Sequence, residues 1–311
     1  VYPLLLSTNR IMTRQAKLNS FLIVTLLVAG SAKPIWAGDG FTITTDHIYG
    51  HKAGVALTLD VVRPTEDANG IGLLYMVSRG WVSNYFDLET AMATSKQRNG
   101  RFFRLIDRGY TLFMVRHGSA PYFKVPDAVS DVQRALRYIR FHAAKFKVDP
   151  QRLGVFGNSA GGHLALMLGT SGDDGDTDSA DLIEQTPARV AAVVAYYPPV
   201  DLRQAGLDSK TLEKLKTGPL DFDPELQESV SPLLQVSSEN PPTLLIHGDQ
   251  DTAVPLTNSQ RMHDALKTSE VETELIVMEG AGHAFPGQYG SRAAAALANW
   301  FDRHLLEKPK E

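Results

Sequence analysis

The stretch that decides the fold is "RLGVFGNSAGGHLALMLGT", residues Arg152 to Thr170. Leu153 to Phe156 form a short apolar run of the kind that lies buried in a sheet. A helical apolar pattern follows at once, and Gly157-Asn158-Ser159-Ala160-Gly161 sits between the two. Gly-x-Ser-x-Gly between a buried strand and a helix reads as a nucleophile elbow. The tight turn strains the serine backbone, and two neighbouring positions must be glycine to avoid clashes. Gly157 and Gly161 fill them. The hydroxyl is then presented at the carboxyl edge of the sheet, where the helix start aims backbone N–H groups at a developing negative charge. A glycine-rich turn with a bystander serine is the competing reading, and the flanking strand and helix weigh against it.

A serine hydroxyl is a weak nucleophile, so it needs a base, and the base needs an orienting acid. In strand–turn–helix elbows of this kind the partners follow in the order acid, then histidine, on loops after later strands. "TLLIHGDQDTAVP" supplies Asp249 and Asp251 just beyond a strand, and "LIVMEGAGHAF" supplies His283 beyond the next. Asp251 is preferred, because it lies farther along its loop toward the active face. Gly282 and Ala284 leave the His283 imidazole room to approach Ser159. Of the other histidines, His163 is expected to pack near the sheet top and His117 to be structural. "SGDDGDTDSAD", from Ser171, lacks the glycine and glutamate spacing of an EF-hand loop and reads as a solvated loop. No cofactor or metal is implied.

Outward from the elbow, the chain alternates strands and helices. "FTITTDHIY" and "VALTLDVVRP" alternate apolar and polar residues, and Ile71–Val77 and Tyr110–Val115 are buried runs. A helix is expected to reach Arg108. Val125 to Phe146 carries one apolar stripe, with Pro126 and Asp127 suited to its first turn. Strands at Val190–Tyr197, Thr243–Gly248 and Glu272–Met278 and a final helix from Ser291 to Leu306 complete the pattern. The expectation is a three-layer α/β fold, a mostly parallel sheet with helices on both faces. Between residues 200 and 241 the alternation lapses. That stretch is expected to hold a helix near Leu207–Leu215 and to form either a cap beside the active face or a surface decoration.

Arg14 and Lys17 precede the apolar run Phe21–Gly30, and small residues follow, which reads as a secretory signal over residues 1–37. The run is too short to span a bilayer. Cleavage is expected after Ala37, with Ala32 as the alternative. Met12 is a candidate translation start, which would make the preceding eleven residues an artefact of gene calling. Residues 38–311 then form one catalytic domain. Removing residues 1–37 takes away four of 31 basic residues and none of 35 acidic ones, leaving 27 against 35, net −8. That balance, without a basic stripe, argues against nucleic acid and against anionic membranes. With no cysteine at all, thiolate metal sites are excluded and an exported chain relies on its core.

The motifs "VFGNSAGGHLA", "HGDQDTAVP" and "GAGHAF", in that order, resemble the α/β-hydrolase superfamily. Within it, "VALTLDVVRP", "AVSDVQRALRYIRFHAAKFKVDPQRLGVFGNSAGGHLA" and "SPLL…PPTLLIHGDQD" are similar to carboxylesterases of the hormone-sensitive-lipase-like and feruloyl or acetyl-xylan esterase groups. The likeness runs from about Val55 to the C-terminus. It implies Ser159 as nucleophile, Asp251 as acid, His283 as base and the N–H of Ala160 as half of an oxyanion hole. The family's His-Gly-Gly-Gly-Trp is replaced here by Val77-Ser78-Arg79-Gly80-Trp81, so the second donor is expected from Arg79 or Gly80. "VRHGSAPYFKVPDAV" likewise replaces the family's Tyr-Arg-Leu-Ala-Pro-Glu. Trp81, Tyr85 and Phe86 are candidates for a substrate pocket, with ordinary loop packing as the alternative. The resemblance implies an exported serine esterase for short-chain or sugar-linked esters, small or polymer-borne. The rivals are a prolyl-oligopeptidase-type peptidase and a non-catalytic binding relative.

Overall fold

The computed structural model describes residues 36–38, 40–84, 87–97, 99–203 and 218–306. Tyr85, Phe86, the helix expected near Leu207–Leu215 and nearly all of the expected signal lie outside them. The strands are β1 (Trp36–Gly38), β2 (Phe41–Lys52), β3 (Val55–Pro64), β4 (Gly72–Met76), β5 (Thr111–Val115), β6 (Leu153–Asn158), β7 (Ala192–Tyr196), β8 (Thr243–Gly248) and β9 (Thr273–Met278). They form one 9-stranded sheet in the order β1-β2-β3-β5-β4-β6-β7-β8-β9. The pairs β1–β2, β2–β3 and β3–β5 are antiparallel, and every later pair is parallel.

Burial on both faces explains why β4 to β8 read as largely apolar runs. Along β4, Leu74 and Met76 face one core cluster while Leu73 and Tyr75 face the other. The first cluster is closed by α3 (Val125–Phe141), α4 (Ala143–Phe146), α5 (Ala160–Thr170) and α6 (Thr257–Thr268), through residues such as Leu136, Phe146, Leu164 and Met262. The second is closed by α1 (Leu88–Gln97), α2 (Arg101–Asp107) and α7 (Gln288–Phe301), through Met92, Leu105 and Leu297. Each such side chain, fully buried, contributes roughly 1.5–3 kcal/mol. The three-layer arrangement expected from the sequence is present.

Some boundaries differ from the sequence reading. The helix expected to reach Arg108 is two helices, α1 and α2. Between them the Ser95 carbonyl accepts the Gly100 N–H at 2.7 Å and the Ser95 hydroxyl accepts the Phe103 N–H at 2.9 Å. The long stripe from Val125 breaks at His142, yet Ala143 and Phe146 of α4 continue it into the core. The last helix ends at Phe301 and passes into a wider turn over Asp302–Leu306. Helix α6 was not anticipated, because its buried face includes Asn258 and Ser259 beside Met262 and Leu266 and so hides the apolar period.

Candidate active site

The loops leaving β4, β6, β7, β8 and β9 open at one edge of the sheet, the carboxyl edge where ligands gather in such folds. Ser159 sits between β6 and α5 with φ 52° and ψ −120°, outside the backbone regions an L residue prefers. Its conformation is held by its own N–H, which donates to the Tyr196 carbonyl at 2.9 Å, and by its carbonyl, which accepts from His163 N–H at 2.9 Å. The glycine requirement is visible in the contacts. A Cβ on residue 157 would lie 2.1 Å from the Gly161 carbonyl oxygen, and one on residue 161 would lie 2.7 Å from that of Met76. Any larger residue at either position forces the elbow open.

The structure brings the expected partners to the serine. His283 Nε2 stands 3.1 Å from Ser159 Oγ, and His283 Nδ1 stands 2.7 Å from Asp251 Oδ2. An ionised carboxylate only accepts, so Nδ1 carries the proton and Nε2 is left to accept from the serine hydroxyl. Asp251 is held in turn: its Oδ1 accepts from the N–H groups of Ala253 and Val254, both at 2.9 Å. Burial works against its charge, but hydrogen bonds from His247, His283 and Val254 outweigh that and hold the carboxyl well below the usual range. Asp249 turns away and accepts the Gly280 N–H at 2.7 Å. That bond ties the two loops together at their base.

The expected oxyanion donors separate. Ala160 opens α5, where the first helical N–H groups have no intrahelical partner. The Arg79 N–H, by contrast, donates to the Val82 carbonyl at 2.9 Å, and Val82 N–H returns a bond to Arg79. This small bridge corrects the expectation for Arg79: its amide closes the turn, and its side chain is exposed. Gly80, at the tip of the same turn, keeps its place as the candidate second donor. For Trp81 the packing alternative holds, not the pocket. It is 2% exposed and belongs to the core, so it lines no substrate pocket.

What Trp81 does instead was not legible in the sequence. Its indole N–H donates to His163 Nδ1 at 3.1 Å. Indole can only donate, so His163 carries its proton on Nε2, which donates to the Val230 carbonyl at 2.7 Å. Complete burial lowers the His163 pKa to about 4, against a smaller opposing push from that carbonyl. The neutral imidazole thus pins the turn after β4, helix α5 and the 218–241 segment to one another. His117, another histidine expected to be structural, is buried beside Ser78, with Nε2 2.9 Å from the Ser78 hydroxyl.

A cavity of about 820 Å³ opens beside His283, walled by Arg101, Asn158, Tyr196, Tyr197, Phe285 and the start of α7. Tyr197 has φ 39°, and its ring lies against the His283 ring with centroids 4.5 Å apart. Burial raises the Tyr197 pKa, so its hydroxyl stays protonated. Among the described residues no group of three or more His, Cys, Asp or Glu is arranged to hold a metal ion. None of the described helices is long and apolar enough to cross a membrane.

The BD-FAE family model matches residues 59–266, and a TAP-like protein model matches residues 225–308. Esterase LipC of Mycobacterium tuberculosis is 29% identical over 221 residues, covering 67% of this chain and 55% of that protein. The chain spans about half the length of the first curated relatives it matches, at 55%, 44% and 48% of them. Among solved structures, a truncated carbohydrate esterase from gut microbiota is 26% identical with a TM-score of 0.71, covering 87% of this chain and 99% of that one. An acetyl ester-xyloside bifunctional hydrolase from Caldicellulosiruptor lactoaceticus is 25% identical with a TM-score of 0.70, covering 84% and 96%.

Proposed function

The chain belongs to the BD-FAE family, with an α/β-hydrolase fold, and on that premise we propose that it hydrolyses carboxylic esters through an acyl-enzyme. The observation that carries this reading is the Asp251–His283–Ser159 relay, 2.7 Å and 3.1 Å, set on a strained elbow. Ser159 Oγ attacks the ester carbonyl while His283 Nε2 takes its proton. Asp251 holds the imidazole tautomer and stabilises the imidazolium. The tetrahedral oxyanion meets the N–H groups of Ala160 and Gly80. His283 then gives its proton to the leaving alcohol, activates a water, and the acid departs as Ser159 is restored.

Short-chain and sugar-linked esters are the proposed substrates, in keeping with the names of the carbohydrate esterase and the acetyl ester-xyloside hydrolase that share the fold. Export is proposed from the basic, apolar and small-residue order before residue 38. The pairing of Trp36, Ala37 and Gly38 with β2 favours cleavage after Ala32, since a cut after Ala37 would fall inside β1.

The test is fluorophosphonate labelling with the adduct located by mass spectrometry, beside p-nitrophenyl esters from acetate to octanoate. The expected result is an adduct on Ser159 and turnover highest at short chains. Turnover of proline anilides at comparable efficiency would replace the esterase by a peptidase. Absence of both adduct and turnover would leave a binding protein.

A further inference from the structure

Most arginines of the described chain meet a carboxylate. Arg116 reaches Asp60, Arg134 reaches Asp181, Arg152 reaches Asp149 and Arg261 reaches Asp201. Arg101, in the wall of the cavity beside His283, does not. Its one hydrogen bond is from Nη1 to the Asn158 side-chain oxygen at 2.8 Å, a neutral acceptor. The rest of the guanidinium lies over ring faces, 5.3 Å from the Tyr75 centroid, 5.2 Å from Phe102 and 5.7 Å from Tyr196. Rings steady a cation in this way but leave its N–H edge unmatched. Asn158 also donates to the Tyr197 hydroxyl at 2.7 Å, which leaves that hydroxyl its own proton to donate into the same cavity.

We propose that this cavity is an anion subsite, and that the preferred esters carry a carboxylate in their alcohol part, bound by Arg101 and the Tyr197 hydroxyl. The inference rests on the ester-hydrolase reading and deepens it. The side is set by chemistry. His283 must hand its proton to the leaving oxygen, so the cavity walled by His283, Ala284 and Phe285 borders the alcohol. Asn158, whose side chain Arg101 grips, directly precedes the nucleophile in the chain, and His283 shares the cavity wall. A half-buried guanidinium matched by a carboxylate forms paired, charge-assisted hydrogen bonds, the strong kind. A neutral alcohol leaves the cation as it was.

The test compares 4-acetoxybenzoate with 4-acetoxybenzamide, which share the acetyl group and differ in the charge of the alcohol part. The ratio of their kcat/KM values is expected to favour the carboxylate by about ten-fold or more, the scale of a hydrogen bond to a charged group. Arg101→Gln is expected to bring that ratio to near one, and Arg101→Lys to keep part of it. Equilibrium binding of 4-hydroxybenzoate and of 4-hydroxybenzamide to the wild-type protein gives a readout independent of turnover and of variant folding. The anion is expected to bind at least about ten-fold tighter. Equal kcat/KM for the two esters with Ser159 labelled, or equal binding of the two alcohols, would overturn the subsite and leave the esterase. Failure to hydrolyse either ester, with Ser159 unlabelled, would overturn the esterase, while the binding comparison would still decide whether the cavity selects anions.

Discussion

Leaving aside the fully buried Ser259–His247 contact, two serine–histidine pairs sit on loops of the described chain, and only one is arranged for the proposed reaction. Ser159 and His283 are 3.1 Å apart, and Ser78 and His117 are 2.9 Å apart. Distance therefore does not distinguish them. What differs is the group behind the imidazole. His283 Nδ1 faces the Asp251 carboxylate, whereas His117 Nδ1 faces the Gly118 carbonyl at 2.7 Å. Both partners fix the tautomer, but only the carboxylate compensates the positive charge that appears when the serine proton is taken. Burial separates the pairs further. His117 is 5% exposed and its pKa is lowered by desolvation, while the His283 side chain is 30% exposed at the cavity rim. The serines differ too, since Ser159 is held with φ 52° and Ser78 is not among the positive-φ residues. A triad is thus an electrostatic arrangement at an accessible, strained position rather than a pair of contacts.

The comparison can be broken by exchanging what each pair lacks. The largest expected effect is Ser159→Ala, which should lower kcat for p-nitrophenyl acetate by about 10⁴-fold or more with the fold intact by circular dichroism. Asp251→Asn should follow, at roughly 10³- to 10⁴-fold, because the amide offers the imidazole the wrong partner. A pH profile sharpens the point: with its carboxyl held well below the usual range, Asp251 stays ionised across the working range, and its share of stability is lost only in strong acid.

Next comes the buried class of histidine, for which stability rather than rate is the readout. His163 has its pKa lowered to about 4 in the fold, so below pH ~6.5 the unfolded chain takes up a proton that the native one refuses. Stability then falls as pH drops through that window, by about 3 kcal/mol for this group. Denaturant titrations at several pH values should show a shallower acid loss for His163→Asn than for the wild type. The smallest effect is expected for Ser78→Ala. It removes one buried-edge hydrogen bond, about 1 kcal/mol, and should change kcat less than about ten-fold. A loss comparable to that of Ser159→Ala would mean that the second pair takes part in the chemistry.

Much of this was legible because the elbow and its partners are written locally. Gly157, Ser159 and Gly161 satisfy one turn, and Asp251 and His283 each lie on a short loop just beyond a strand that the sequence marks. Helix α6 was not legible, because Asn258 and Ser259 face inward to bond with the chain, Asn258 to the Val200 N–H and Ser259 to His247. Arg79 misled because backbone donors look alike in sequence, and only the Val82 bridge shows that its amide is occupied. Arg101 gave no signal of its own. Apart from the adjacent Phe102, its surroundings come from the ends of β4, β6 and β7, more than fifty positions away for Asn158, and no local pattern joins them.

The Trp81–His163–Val230 chain has a consequence for anyone grafting segments between related chains of this family. The 218–241 segment is joined to the turn after β4 through the His163 imidazole, so the two form one gear train rather than separable parts. Swapping that segment for a longer or differently shaped one alters where Val230 presents its carbonyl, and through His163 and the indole it reaches the turn that carries Gly80. Chimeras that carry residues 78–82 and 218–241 together from one parent should keep their rates where chimeras that mix parents lose them.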